Sequence, residues 1–155
     1  MRTLGKLIGL SAFAMTLAIP AAAQAAAANL VDGTVATSGT NCSWTNAATS
    51  DNPPNTLTID QASVSVTCDD GTPITLNNSP QVTFDDGAGT ATVDKLNITG
   101  TKSGISCTYE ATGVQFARTG DTRDYTGGPI SAGKTDGSIL CPGTMTLDSA
   151  AVSFH

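Results

Sequence analysis

Over most of the chain, hydrophobic and polar residues alternate with a period of two, the signature of extended strands with one buried face. Val64, Val66 and Cys68 fall on one side of such a strand, with Ser63, Ser65 and Thr67 on the other. Val82 and Phe84 repeat the pattern, as does Val93 in TATVDKLNITG, after which Leu96 and Ile98 resume it in a shifted phase. Ile105, Cys107 and Tyr109 form another apolar face. Val114 and Phe116 continue it in the opposite phase, which predicts a turn or bulge near Thr112 and Gly113. Met145 and Leu147 alternate, and Ala150, Val152 and Phe154 follow in a new phase after a break at Asp148. No run after Ala28 has a helical period. About eight or nine short strands are expected, and with them an all-β fold, an antiparallel β-sandwich or Greek-key barrel.

Turn signals separate these runs. Asp-Gly occurs at Asp32-Gly33, Asp70-Gly71, Asp86-Gly87 and Asp136-Gly137. Between alternating segments this dipeptide predicts a hairpin turn, because both residues tolerate positive φ. DNPPN (51–55) and TGGP (126–129) read as loops.

The first residues have a different character. A basic head with Arg2 and Lys6 precedes an apolar run from Leu7 to Ile19, which ends at Pro20 and an alanine-rich tail. This is the form of a secretory signal peptide, and the run falls short of the roughly 20 apolar residues of a membrane span. The expected organisation is a signal peptide over 1–28 and a single secreted β domain over 29–155, with no transmembrane segment after cleavage. Cleavage could follow Ala23, Ala25 or Ala28.

Removing 1–28 takes both Arg2 and Lys6. Five basic residues then face thirteen acidic ones, a net charge of −8. Such a surface repels phosphate backbones and anionic membranes, so no nucleic-acid partner is expected. The four cysteines, Cys42, Cys68, Cys107 and Cys141, are an even set in a chain marked for export and read as two disulfides. Three pairings are possible. Cys42–Cys68 with Cys107–Cys141 is favoured, because it joins nearby strands and Cys68 and Cys107 both sit on apolar faces. No C-x-x-C spacing occurs and the single His is the terminal residue, which argues against a zinc site or a thioredoxin-type centre. No cofactor is expected.

The candidate chemistry is sparse. VTCDDG (66–71) recurs as VTFDDG (82–87), setting Asp69 and Asp70 beside Asp85 and Asp86 as possible metal ligands. Four carboxylates from two adjacent loops would suit calcium. Turns that use the acids to bond their own backbone are the simpler reading, and a general acid/base pair is a third. His155 is poorly placed for a Ser-His-Asp triad, no G-x-S-x-G elbow is present, and no catalytic residue is assigned. Trp44, in NCSW, could stack on a flat ligand or pack against the disulfide. RTGDTRDYTGG (118–128) brings Arg118, Arg123 and Tyr125 into one segment as the best candidate recognition surface, with Tyr125 expected exposed and Tyr109 buried. N-x-[ST] matches at Asn41, Asn77 and Asn97 would matter only in a glycosylating host.

GISCTYEATG and SILCPGTMTLDSAAVSF, with Cys107, Thr108, Tyr109, Cys141 and Pro142, resemble small secreted two-disulfide β proteins of actinobacteria with no assigned function. The resemblance covers about the last third of the chain and implies fold and secretion only. CSW and the ending VSF are similar to neocarzinostatin-type chromoproteins, whose disulfides close shorter loops than any available here. DGTVATSGTNC is similar to the start of chaperone–usher pilins, which favour a penultimate Tyr where this chain has Phe154. The function expected is that of a secreted or envelope-associated, non-catalytic protein with a structural or binding role and a protein or glycan partner. The alternatives are a pilin-like assembly subunit and a calcium-dependent carbohydrate-binding module.

Overall fold

The computed structural model describes residues 28–155. The expected signal segment, apart from Ala28, lies outside the described residues. The strands are β1 (Leu30–Thr37), β2 (Thr40–Ala48), β3 (Leu57–Thr58), β4 (Thr67–Cys68), β5 (Ile74–Leu76), β6 (Gln81–Asp85), β7 (Thr90–Lys102), β8 (Ile105–Arg118), β9 (Asp124–Gly127), β10 (Ile130–Gly137), β11 (Thr144–Leu147) and β12 (Ser149–Phe154). All pairings are antiparallel. The fold is all-β, as the alternation implies, but the strands number twelve rather than eight or nine and belong to one hydrogen-bonded sheet. The long path runs β3-β6-β7-β8-β9-β12-β1-β2-β4, with β5 on β7 and β10-β11 on β8 branching from it.

The branch point is the β7–β8 hairpin. Its register is unbroken from Thr90 opposite Ala117 to Lys102 opposite Ile105. Along its first half, Ala91 and Val93 face the core opposite Phe116 and Val114; along its second, Leu96 and Ile98 lie opposite Ala111 and Tyr109. The phase change expected near Gly113 is therefore real, yet no residue is inserted. Both strands change face together between Asp94 and Lys95 on β7 and at Thr112 and Gly113 on β8. Gly113 supplies a φ of 61° there, a conformation other L-residues resist. One half pairs with β6 and β9, the other with β5 and β10. The switch lets both halves turn their apolar side chains to one core.

Buried polar or charged residues are absent among the described residues. The core is aliphatic except for Tyr109, Phe116, the half-buried Trp44 and a cluster of Phe84, Tyr125 and Phe154, whose ring centroids lie 5.3 to 6.0 Å apart. The disulfides are Cys42–Cys68, across the β2–β4 pair, and Cys107–Cys141, which ties β8 to the loop before β11, so the sequential pairing holds. Disulfides fit an oxidising compartment. No helix among the described residues is long and apolar enough to cross a membrane.

The Asp-Gly pairs divide in a way the dipeptide does not show. Only Asp86-Gly87 lies in a hairpin turn, between β6 and β7. Asp70-Gly71 turns the chain from β4 to β5, strands that pair with different neighbours. Asp32-Gly33 and Asp136-Gly137 lie inside β1 and β10, each beside a register shift. Ser63, expected in a strand, belongs instead to a short 3-10 helix (Gln61–Ser63) capped by Asp60, whose carboxylate accepts from the Ala62 N–H at 3.0 Å. The alternation of Val64, Val66 and Cys68 inward against Ser65 and Thr67 outward survives, although only Thr67 and Cys68 pair as strand.

Candidate functional site

The two acidic motifs are turn and strand-end devices. Asp69 closes onto Asn41, accepting from its backbone N and its Nδ2, both at 3.1 Å. Asp70 accepts from the Thr72 N–H at 2.9 Å, from Thr40 Oγ1 at 3.1 Å and from Lys102 Nζ at 3.4 Å. The Thr72 backbone bond leads in holding the Asp70 carboxyl down to about 2. Asp85 accepts from the Ala88 N–H at 2.9 Å, and Asp86 meets Arg118 Nη1 at 3.1 Å.

These contacts also separate the motifs. Asp70 reaches Lys102 at one end of the β7–β8 hairpin, and Asp86 reaches Arg118 at the other. At about 3.3 Å per residue, the thirteen residues of β7 place roughly 40 Å of strand between those ends. The expectation that the two loops are adjacent is thus corrected, since four carboxylates so divided cannot share a cation. Among the described residues no group of three His, Cys, Asp or Glu is placed to hold a metal ion.

The 118–128 segment does not gather its candidates on one surface. Tyr125, expected exposed, is 2% exposed and packs against Phe84 and Phe154. Burial raises the pKa of its phenol. The reason is phase: Tyr125 belongs to β9, opposite Val152 of β12, on the inward side of the strand. Arg118 is held by Asp86, so of the three candidates only Arg123 is left exposed, in the loop between β8 and β9. Tyr109 is buried as expected, its hydroxyl donating to the Pro142 carbonyl at 3.2 Å.

Trp44 has a packing role that neither of its readings named. It stands opposite Gly33 in the β1–β2 ladder, and its indole lies across that glycine. A Cβ on Gly33 would come within 1.9 Å of Trp44 Cζ2. Gly33 is therefore required by the ring above it, since its φ is not positive and no turn is made there. The half-buried indole lines two internal spaces, and its Nε1 is buried with no hydrogen-bond partner.

The larger space is a cavity of about 100 Å³ walled by Val35, Trp44, Ile74, Leu76, Leu96 and Leu147, among other aliphatic residues from β1, β2, β5, β7, β8, β10 and β11. The smaller, about 60 Å³, lies toward Val82, Val93, Phe116 and Phe154. Trp44 and Leu96 wall both. No polar surface faces either one. Apart from Trp44, sequence reasoning missed these residues as a site because each is simply an inward position along the chain. It also passed over Ile139 and Leu140, 96% and 70% exposed at the tip of the loop pinned by Cys141.

Comparison of the chain with protein-family models, with curated proteins and with solved structures finds no match.

Proposed function

We propose that the chain is an exported protein of the envelope or extracellular space with a binding role rather than a catalytic one, and that it binds through its core. The observation that carries this reading is the cavity of about 100 Å³ with an all-hydrocarbon wall. Close-packed interiors hold few voids larger than a water molecule. A polar cavity of this size would hold ordered water, whereas an apolar one stays dry and accepts apolar guests. The acids that sequence alone offers to catalysis or calcium are engaged in backbone caps and ion pairs. Export is supported by the basic-apolar-alanine leader and by the two disulfides.

The test is thermal unfolding of the oxidised protein with and without saturating benzene. A guest held by the native state alone raises stability by mass action, about 2.7 kcal/mol at a hundredfold excess over Kd. A Tm unmoved by benzene and by short aliphatic alcohols alike would remove the binding role from the core.

A further inference from the structure

We infer that the two internal spaces form one site divided by a movable partition of Trp44 and Leu96, and that its ligand is an uncharged, linear hydrocarbon tail. This rests on the binding role proposed above and names the class of guest. Three observations converge. First, the spaces share Trp44 and Leu96 as walls, so only those two side chains need move to join them. Second, no hydrogen bond restrains the indole. Its Nε1 has no partner, whereas buried Trp N–H groups usually find one. The ring rests on Gly33, where no side chain locks it from below. Third, Leu96 is the first inward residue of β7 after the hairpin changes face, so it sits at the seam between the two halves of the core.

The wall chemistry selects the guest. A carboxylate, phosphate or ammonium head would find neither partner nor water inside, and burying it unpaired is prohibitive. A compact ring would fit the larger space alone and leave the smaller one empty. A linear tail can occupy both in sequence, with any polar head left outside the apolar walls. Two sources present the same chemistry, a free amphiphile and the acyl tail of a bilayer lipid.

The experiment is a titration of the oxidised protein with straight-chain alcohols from butanol to decanol, read by the fluorescence of Trp44, the only tryptophan. Each buried methylene is worth about 0.8 kcal/mol, or about fourfold in affinity. If the partition opens, affinity climbs about fourfold per carbon past butanol until both spaces are filled, and Trp44 emission shifts most for the longer members. A Val93→Phe variant, which narrows the smaller space, should lose the gain for the longest alcohols, with near-ultraviolet circular dichroism matching the native protein as the check that it is folded. Affinity that levels off after the shortest members in the native protein, with no difference in Val93→Phe, would overturn the joined site while leaving a compact-guest site standing. No binding at any length would overturn the binding role itself. Phosphatidylcholine vesicles in place of the alcohols distinguish the sources: a response to vesicles assigns a bilayer tail, and a response to soluble chains alone assigns a free amphiphile.

Discussion

Replacing Gly33 with alanine puts the contact between β1 and β2 to a direct test. The added methyl would stand 1.9 Å from Cζ2, 2.3 Å from Cη2 and 2.4 Å from Cε2 of Trp44. Carbon atoms in contact prefer about 3.5–4.0 Å, so the ring must retreat by about 1.5 Å or the two strands must part. Gly33 is held on both sides, opposite Trp44 of β2 and opposite Val152 of β12, which makes backbone adjustment costly. The easier path drives the indole toward the adjoining cavity. Overpacking of this kind costs about 1–3 kcal/mol. For a domain of this size that is a fall in Tm of roughly 3–12 °C. Because Trp44 is the sole tryptophan, its emission reports the movement directly. Calorimetry and fluorescence of Gly33→Ala should show both a lower Tm and a displaced emission maximum. Unchanged values of both would refute the claim that the indole occupies the space above Gly33, and with it the assignment of Asp32-Gly33 to a strand.

Other outcomes follow from the same contacts. Removing Cys107–Cys141 by paired alanine substitution should cost about 3–4 kcal/mol, the chain-entropy worth of its 34-residue separation, read by urea denaturation. Asp70 has a carboxyl held below its ordinary value, so its contribution is present above pH about 4 and is lost as pH falls toward about 2. Asp70→Asn should flatten the acid limb of the stability–pH curve in that window and, above it, lower the curve without changing its slope. Phe154→Ala removes one member of the Phe84–Tyr125–Phe154 cluster and should cost about 3–5 kcal/mol by chemical denaturation. Millimolar calcium followed by excess EDTA should leave the melt in place, because the two acidic motifs sit at opposite ends of the β7–β8 hairpin. A calcium-dependent rise abolished by Asp86→Asn would contradict that geometry.

Period-two alternation was enough to place Val82 and Phe84, the two phases of β7 and β8, and the change of face at Gly113, because strand sidedness is a local property of the backbone. Cysteine parity predicted two disulfides, and the preference for joining nearby strands picked out the pairing observed. The same locality explains the errors. Tyr125 read as exposed because its polar, glycine-rich flanks suggest a loop, and its burial depends on β12, which is remote in sequence. Asp-Gly reports a tolerance for turns, whereas the need for glycine at position 33 comes from an indole on the neighbouring strand. The pairing of VTCDDG with VTFDDG was visible as a repeat, but the 40 Å of strand between the motifs was not, since sequence spacing says nothing of which ends of a hairpin two turns will meet.

By itself, then, the sequence determined the strand class, favoured the disulfide pairing that the structure holds and set most of the inward positions, all of which follow from period, parity and hydrophobicity. Tertiary structure alone decided what the inward residues enclose. A cavity is the difference between the volume that a folded sheet surrounds and the volume its side chains fill. That difference depends on how β1 and β2 come to face β5, β7, β8, β10 and β11, and no single stretch of chain carries it.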